Sequence, residues 1–213
     1  MIARKQNDGK AEYYLNRLLE RYPALCDLKD IINGACRILE VSFASGGKLL
    51  VCGNGGSAAD ADHIVGELMK GFYKKRPLPA EEAERLGEYA RDLQGALPAI
   101  SLTQHTALST AFLNDVNPEM VFAQQVYGYG RAGDVLLAIS TSGNSNNVCH
   151  AAQVAADLGI QTIGLTGREG GRLSGICDVC IEAPDDRTAD VQELHLPIYH
   201  TLCAMLEELF FDR

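Results

Sequence analysis

A glycine-rich turn in this sequence leads directly into a helix-prone segment that carries a histidine and a glutamate. The stretch is CGNGGSAADADHIVGE, residues 52–67, and it places His63 and Glu67 four positions apart. Side chains at this spacing lie on one face of an α-helix, where a simple surface contact is the common outcome. Apolar residues such as Ile64 and Leu68 flank the pair, so we predict a packed helix. An imidazole and a carboxylate placed in this way can transfer protons or bind a metal ion.

A second group of polar side chains lies near the C-terminus, in the stretch ADVQELHLPIYH. The candidates there are Asp190, Gln192, Glu193, His195 and His200. On a continuous helix, Gln192 and His200 would be separated by about 12 Å, because each residue adds about 1.5 Å. Pro197 lies between them and cannot donate a hydrogen bond to the Glu193 carbonyl, which predicts a kink. A neighbouring subunit is the other way to bring both side chains to one ion.

Two short polar turns follow apolar stretches that we predict to be strands. NGGS follows KLLVCG, and TSGNS follows DVLLAIS. Gly55 and Gly56 allow close approach of the backbone to a ligand, and Ser57 and Ser145 are predicted to cap the helices that follow. The second turn offers hydroxyl donors at Ser140, Thr141, Ser142 and Ser145. Because helix N-termini also attract anions, the two turns predict a monophosphate site without a fully charged side chain.

Nucleotide-binding motifs fit the glycine turn less well than a monophosphate site does. GNGGSA resembles a loose dinucleotide-binding pattern, but the second predicted strand ends in LTQH and lacks the acidic residue that would contact a ribose. No GK[ST] follows the glycines, as a Walker loop would require. Two ordinary capped turns remain the structural alternative. Two serine-rich turns at equivalent strand ends favour a shared ligand site over that alternative, because ligands bind beyond the carboxyl ends of such strands.

Short apolar stretches alternate with helical ones along the chain. We predict strands at residues 48–53, 97–102, 134–140, 161–167 and 179–184. Helices are predicted at residues 11–22, 25–45, 57–73, 117–130, 146–158 and 188–210. Strands that are apolar on both faces are typical of a parallel sheet covered by helices. We therefore predict one α/β domain over residues 1–213, a three-layer doubly wound sandwich with a five-stranded parallel sheet flanked by helices.

Composition narrows the class of protein. The 213 residues carry a net charge of -9, which argues against a dedicated nucleic-acid binder. No apolar run is long enough to span a membrane, and the first ten residues lack the apolar centre of a signal peptide, so we expect a cytoplasmic protein. Seven cysteines, an odd number set largely in apolar runs, are typical of reduced buried thiols.

Three further features are interpreted as structural. Cys177 and Cys180 form a CxxC that leads into a predicted strand, and no second pair is present, which disfavours redox and zinc roles. The acidic segment 77–98 is predicted to be an inserted surface helix. His105 and His150 are interpreted as ordinary loop or helix residues.

Three stretches together resemble the phosphoheptose isomerases of the sugar isomerase (SIS) superfamily. They are CGNGGSAADADHIVGE, STSGNS and ADVQELHLPIYH, which occur in the order and spacing of that family, and the similarity extends over nearly the whole chain. The resemblance implies the SIS fold, zinc as the usual metal, and a homotetramer with active sites at subunit contacts. It also implies conversion of sedoheptulose 7-phosphate to a glycero-manno-heptose 7-phosphate, the first step toward bacterial surface heptose.

The resemblance also implies roles for individual residues. Substrate contacts are expected from Asn54, Gly55, Gly56, Ser57, Asn114, Asp115, Ser140, Thr141, Ser142, Ser145, Asp190 and Gln192. The metal ligands are expected to be His63, Glu67, Gln192 and His200. Ketose–aldose conversion moves a proton between adjacent carbons through an enediol, which needs a base at the carbon and an acid or Lewis acid at the oxygens. We expect Glu67 to act as the base and His200 as the acid.

Two features depart from the family pattern. An arginine usually follows the glutamate in a GR step, whereas this chain reads LMKGFYKKRP and has Gly71 at that place. The candidates to replace the arginine are Lys70, Lys74, Lys75 and Arg76. The segment 77–98 is also longer than usual and is expected to enter near the site. Both departures bear on the identity of the sugar more than on the isomerase chemistry.

A non-catalytic phosphosugar-binding protein is the alternative function, since some SIS relatives regulate transcription and one assists the bacterial replication initiator. That relative lacks the glutamate at the position of Glu67, whereas this chain keeps Glu67, Gln192 and His200. A nucleotide-dependent enzyme is disfavoured because the acid that would contact a ribose is missing. We therefore expect an aldose–ketose isomerase that acts on a phosphorylated sugar.

Overall fold

A five-stranded parallel sheet with the order β2-β1-β3-β4-β5 forms the centre of the protein. The structure is a computed structural model and describes residues 8–211. The expectation that no signal peptide is present rests mainly on the first seven residues, which lie outside the described part. The strands are β1 (Leu49–Cys52), β2 (Ala99–Ser101), β3 (Val135–Ile139), β4 (Gln161–Gly167) and β5 (Val179–Ala183). Each lies within its predicted range, and each neighbouring pair is parallel. The predicted fold class is confirmed.

Helices flank the sheet on both faces. They are α1 (Asp8–Arg21), α2 (Lys29–Ala44), α3 (Gly56–Met69), α4 (Ala80–Leu86), α5 (Thr106–Asp115), α6 (Val121–Tyr129), α7 (Asn146–Asp157), α8 (Gly171–Ile176) and α9 (Thr188–Phe210). Three short 3-10 helices cover Pro23–Leu28, Gly87–Arg91 and Pro118–Met120 in the described part of the chain. The strand order reverses between β1 and β3, and a ligand site is expected beyond the carboxyl ends of strands at such a reversal.

The sheet separates two apolar cores, because successive residues of a strand face opposite sides. Leu49 and Val51 of β1 face the layer that contains α1, α2, α3 and α9. Leu50 and Cys52 face the layer that contains α6, α7 and α8. Since both faces of the strands are buried, their sequences are continuously apolar rather than alternating.

The observed helices differ from the predicted ones mainly at their ends. Residues 25–28 belong to a 3-10 helix that begins at Pro23, and α2 starts only after it. The helix predicted from 57 to 73 ends at Met69, because Lys70 is extended. Residues 117–120 precede α6 as a capped 3-10 helix. The helices α5 and α8 were not predicted; α5 contains no buried residue, so it lacks the apolar periodicity on which such a prediction depends.

The acidic segment 77–98 is exposed at the surface. Neither α4 nor the 3-10 helix after it contains a buried residue. The helix α4 has Glu81 and Glu82 in its first turn and Arg85 in its last, an order that complements the helix dipole. Gln94 Oε1 accepts a hydrogen bond from Gly71 N at 2.8 Å, so the segment returns to the loop that follows α3.

Arg76 and Glu207 join helices α3 and α9 through a buried ion pair. Arg76 Nε donates to Glu207 Oε1 at 2.8 Å, and both side chains are almost completely buried. The guanidinium also donates to the carbonyl oxygens of Leu68 and Glu67, at 2.7 and 3.1 Å. These carbonyls belong to the last turn of α3, where a helix has no hydrogen-bond donors of its own. The pair therefore ends α3 and fastens it to α9.

Glu207 also holds the loop between α3 and Arg76. Its carboxylate accepts the backbone N–H groups of Phe72, Tyr73 and Lys74, at 2.8, 2.8 and 3.1 Å. The Lys74 ammonium adds a contact to Glu208 Oε2 at 2.6 Å and to the Phe211 carbonyl at 2.8 Å. The loop is thus anchored to the C-terminal end of α9 by both its backbone and its charges.

Replacement of Arg76 is expected to destabilise the protein strongly, because Glu207 would remain buried without its cation. We expect Arg76→Leu to lower the free energy of unfolding by about 3–5 kcal/mol. Urea unfolding at a fixed protein concentration measures this difference. Arg91→Leu is the matched control, since Arg91 pairs with its neighbour Asp92 at the exposed surface, and the substitution should change stability by less than about 1 kcal/mol. Equal effects of the two substitutions would show that the buried pair does not anchor the loop.

Candidate active site

The glycine-rich turn and the serine-rich turn lie side by side at the carboxyl edge of the sheet. They follow β1 and β3, which are neighbours in the sheet. Asn54 Nδ2 donates to Asn147 Oδ1 and Asn147 Nδ2 donates to Asn54 Oδ1, both at 2.8 Å, so the glycine-rich turn is hydrogen-bonded to the first turn of α7, which follows the serine-rich turn. The prediction that both turns meet at one edge of the sheet is confirmed.

The helix α3 begins differently from the prediction. Gly55 occupies the N-cap position with φ 56°, a conformation that glycine adopts readily, and no side chain caps the helix. Ser57 was predicted to be the cap, which is wrong: Ser57 lies buried within the first turn. In the described residues the first N–H groups of α3 have no side-chain partner, and those of Ser57 and Ala58 donate to the carbonyl oxygens of Asn54 and Gly55, both at 3.0 Å.

The serine-rich turn is held by its own hydroxyl groups. Ser140 Oγ and Ser145 Oγ are 3.0 Å apart, and Ser142 Oγ accepts from Asn144 N at 3.2 Å. Ser145 lies at the N-cap position of α7, but its side chain does not cap the helix, so that part of the prediction is wrong. Its hydroxyl contacts Ser140 instead. Thr141 is half-buried in the same turn, next to these hydroxyl groups.

Three predicted site residues meet where α3 crosses α9. His63 Nε2 lies 3.3 Å from Glu67 Oε1 and 3.4 Å from His200 Nε2. The two imidazole rings pack edge to face, with centroids 4.9 Å apart. The second carboxylate oxygen of Glu67 accepts from Lys70 Nζ at 3.0 Å. The structure thus brings one carboxylate and two imidazoles from remote parts of the sequence to one place.

Tyr199 and Asp60 support this group, and neither was predicted from the sequence. The Tyr199 hydroxyl lies 3.1 Å from His63 Nδ1 and donates to Asp60 Oδ1 at 3.1 Å. Asp60 lies on α3 three residues before His63, and Tyr199 precedes His200 on α9. The spacing of Asp60 and His63, which share one helix face, was a signal available in the sequence. Tyr199 offered no such signal, and in the structure it is buried as a core residue would be.

The surroundings shift the pKa values of this group. Burial, together with the nearby His63, lowers the pKa of His200, which favours its neutral form. Burial also raises the pKa of the Asp60 carboxyl, although the hydrogen bond from Tyr199 opposes the shift. Burial and the Asp60 charge raise the pKa of Tyr199, so its hydroxyl keeps its hydrogen. A neutral imidazole is the form that can bind a metal.

Gln192 lies against the glycine-rich turn rather than beside the two histidines. A Cβ atom placed on Gly56 would be 2.5 Å from Gln192 Nε2, so the glycine leaves space for the amide. The helix α9 is continuous across Pro197. Within the described part of one chain, no hydrogen bond or ring contact joins Gln192 to His63 or His200.

The remaining predicted substrate residues are Asn114, Asp115 and Asp190. Asn114 and Asp115 are exposed at the end of α5, where Asn114 Nδ2 donates to Asp115 Oδ1 at 2.6 Å. Asp190, in the first turn of α9, pairs with Arg187 at 3.4 Å. The described contacts of the single chain do not connect Asn114 or Asp115 with the two turns.

The four candidates to replace the family arginine differ in their contacts and exposure. Arg76 and Lys74 are occupied by the anchoring contacts to the end of α9. Lys75 is exposed. Only Lys70 of these four faces the site, through its ion pair with Glu67. A Cβ atom on Gly71 would overlap the carbonyl oxygen of Lys74, which explains why this loop has glycine at the arginine position.

The donor chemistry of the site suits zinc, although the metal group is incomplete in one chain. No group of three or more His, Cys, Asp or Glu side chains among residues 8–211 is arranged to hold a metal ion. Nevertheless, His63 Nε2 is 3.3 Å from Glu67 Oε1 and 3.4 Å from His200 Nε2. Ligands of a tetrahedral zinc ion lie about 3.3 Å apart when each bond is about 2.0–2.1 Å. These two distances fit a pair of zinc ligands each, although the three side chains as a group are not arranged to hold an ion.

Cys177, Cys180, His105 and His150 make their contacts outside this site. The thiols of Cys177 and Cys180 pack against Gly164, and burial raises the pKa of Cys177 to about 12 and raises that of Cys180. A thiol with a raised pKa is a poor nucleophile and metal ligand. His105 packs beside Tyr129, and His150 Nδ1 lies 3.3 Å from the Glu119 carbonyl oxygen.

His195 fastens α9 to the sheet. It is fully buried, and its Nε2 lies 3.0 Å from the Thr166 carbonyl oxygen in β4. Its Nδ1 is buried without a hydrogen-bond partner in the described residues. Burial lowers the pKa of His195, although the hydrogen bond to Thr166 opposes the shift.

His195 is expected to make stability depend on pH. In the unfolded chain its pKa is about 6.5, and because the folded value is lower, the unfolded state binds more protons as the pH falls. The stability that His195 contributes is therefore present above about pH 6.5 and is lost below it, by at most about 1.4 kcal/mol per pH unit. Urea unfolding at pH 7.5 and 5.5 should show a smaller difference for His195→Gln than for the unchanged protein. His150→Gln is the control. If His150→Gln and His195→Gln show the same difference in stability between pH 7.5 and 5.5, the assignment is contradicted.

Comparison with known proteins identifies the family. The SIS domain family matches residues 13–88 and 78–167. The phosphoheptose isomerase of Helicobacter hepaticus is 42% identical over 92% of this chain and 91% of its own, and that of Nitratidesulfovibrio vulgaris is 42% identical over 85% and 78%. The structure of the phosphoheptose isomerase from Neisseria gonorrhoeae has a TM-score of 0.75 and 33% identity, covering 94% of this chain and 98% of that one. The chain therefore belongs to the phosphoheptose isomerases of the SIS-domain superfamily.

Proposed function

We propose that this chain converts sedoheptulose 7-phosphate to D-glycero-D-manno-heptose 7-phosphate through an enediol, with Glu67 and His200 as its acid–base residues. The observation that carries the proposal is the meeting of Glu67, His63 and His200 where α3, which begins at the glycine-rich turn, crosses α9. Family membership supports the isomerase activity, and the meeting of these side chains supports the residue roles.

The two turns are proposed to bind the phosphate. The hydroxyl groups of the serine-rich turn are close together, and the N-termini of α3 and α7 both begin at these turns. Backbone N–H groups and hydroxyl donors suit a phosphate without a full positive charge, and the helix dipoles add to the attraction. Gln192 lies against Gly56, and its amide is proposed to contact the sugar chain next to the phosphate.

The proton transfers are assigned to the facing side chains of α3 and α9. Glu67 removes the proton from the carbon next to the carbonyl group, and His200 supplies a proton to the oxygen. Lys70, which pairs with Glu67, places a positive charge beside the site in the region where the family usually has an arginine.

Zinc is proposed as the metal, held by His63, Glu67 and His200, with Gln192 as the further ligand. Imidazole nitrogen and carboxylate oxygen are ordinary zinc ligands, and their spacing here fits a tetrahedral ion. When bound, the metal supplies a Lewis acid that polarises a carbonyl group. Since Gln192 does not meet the histidines within one chain, the fourth position depends on movement of its amide or on another subunit.

A homotetramer is proposed because the site is open in a single chain. The His63 side chain is 42% exposed, and Asn54, Asn114 and Asp115 are also exposed. Leu113 and Val116 are large apolar residues exposed next to Asn114 and Asp115. An exposed apolar surface around unlinked site residues is expected where a second subunit packs.

We also propose that the protein works in the cytoplasm as one SIS domain. The seven cysteines are unpaired, and all but one are partly or fully buried, as expected in a reducing compartment. Among the described residues, no helix has the length and apolar character that crossing a membrane requires. A regulatory role without catalysis is disfavoured because Glu67 and His200 are both present and in one site.

Neutral replacements of the two acid–base residues are expected to stop turnover but not phosphate binding. Glu67→Gln and His200→Gln should each lower kcat with sedoheptulose 7-phosphate by about 10²–10⁴-fold. Binding of inorganic phosphate, measured by calorimetry, should remain unchanged because the turns are untouched. Glu193→Gln is the matched control, since Glu193 is exposed on the same helix as His200. Unchanged turnover in both site variants would refute the assignment.

Native mass spectrometry of the purified protein tests the metal and the assembly together. We expect a tetramer that carries one zinc ion per chain, and we expect His63→Ala to remove the ion. Chelator treatment should abolish activity, and added zinc should restore it. A monomeric, metal-free protein that is fully active would contradict both proposals.

A further inference from the structure

Asp60, Tyr199 and His63 form a continuous hydrogen-bonded chain behind the site. Asp60 and His63 lie on α3, and Tyr199 reaches them from α9. The Tyr199 hydroxyl lies 3.1 Å from Asp60 Oδ1 on one side and 3.1 Å from His63 Nδ1 on the other. Tyr199 is buried, so its hydroxyl is expected to satisfy its hydrogen-bonding capacity through these two contacts.

The chemistry of the three groups fixes the direction of both hydrogen bonds. A tyrosine hydroxyl has one hydrogen, and an ionised carboxylate can only accept. Tyr199 must therefore donate to Asp60, since the opposite choice would leave a half-buried carboxylate without this donor. With its hydrogen used in this way, the Tyr199 oxygen can only accept from His63 Nδ1.

The remaining ring nitrogen of His63 then points into the site with a free lone pair. His63 Nε2 is the atom that lies 3.3 Å from Glu67 Oε1 and 3.4 Å from His200 Nε2. A lone pair beside a carboxylate oxygen suits a metal ion or a shared proton between them. In the opposite tautomer, Nε2 of His63 would carry the hydrogen and would be a donor instead of an acceptor.

We propose that Asp60 and Tyr199 are positioning residues that hold His63 as the Nδ1–H tautomer, so that Nε2 remains an acceptor facing Glu67 and His200. The inference rests on the proposed function for its consequence in catalysis, but the tautomer itself is independent of any activity. Neither residue touches the substrate in this scheme. Both act through His63, as residues hydrogen-bonded to a ligand histidine commonly do.

Nitrogen-15 NMR of the full chain, after chelator treatment, reads the tautomer directly. With histidine labelled in the ring, His63 is identified by the signals that are lost in His63→Gln. We expect Nδ1 of His63 to have the chemical shift of a nitrogen with a hydrogen and Nε2 that of a nitrogen with a lone pair. The opposite pattern in the unchanged protein would overturn the proposal without any variant.

Two substitutions with different expected outcomes sharpen the test. In Asp60→Ala the Tyr199 hydrogen is free to donate to His63 Nδ1, so the tautomer should reverse. In Tyr199→Phe neither tautomer is held, so the signals should show a mixture. Zinc affinity, measured by competition with a chelator, should fall by about 10–100-fold in each variant. Tyr127→Phe, at an exposed tyrosine on α6, is the matched control and should change neither readout.

The outcomes separate this inference from the proposed function. A held Nδ1–H tautomer that responds to the two substitutions as described supports the inference, even if the protein does not isomerise sedoheptulose 7-phosphate. An unchanged tautomer in both folded variants overturns it, even if the isomerase is fully active. Circular dichroism confirms that each variant is folded, and the spectrum of the unchanged protein remains decisive if either is not.

Discussion

The buried ion pair between Arg76 and Glu207 is the interaction on which the geometry of the site depends. A buried charge without its partner is strongly unfavourable, so each residue requires the other in place. Arg76 binds the last carbonyls of α3, and Glu207 belongs to α9. The pair therefore fixes the axial position of α3 relative to α9. Glu67 is on one of these helices and His200 is on the other, so a slip of one turn, about 5.4 Å, would separate them.

The sheet supplies the second half of the site through its strand order. The reversal between β1 and β3 leaves an opening at their carboxyl ends, and both polar turns lie there. The reciprocal hydrogen bonds between Asn54 and Asn147 join the glycine-rich turn to the start of α7, directly after the serine-rich turn. As a result, the start of α3 is positioned by the sheet and its end by Arg76. A helix fixed at both ends places His63 and Glu67 with little freedom.

The fold could be predicted from the sequence because strands buried on both faces leave uninterrupted apolar runs, and turns at strand ends have a recognisable composition. His63 and Glu67 could be recognised together because helical spacing is local. The Ser57 cap was mispredicted because Gly55, with its positive φ, starts α3 before Ser57 can act, and the Ser145 cap because its hydroxyl contacts Ser140 instead. Tyr199 and Asp60 were missed because their role appears only when α9 lies against α3, and Arg76 was one of four open candidates until its burial was visible.

The glycine at position 71 has a consequence for how the active site of this protein can be altered. Because a Cβ atom there would overlap the Lys74 carbonyl, the loop has no room for a side chain while its backbone N–H groups remain bound to Glu207. Grafting an arginine onto this position alone would pull the backbone away from its carboxylate anchor. The loop from Lys70 to Arg76 is therefore a single exchangeable unit, and redesign of the pocket would have to replace it whole.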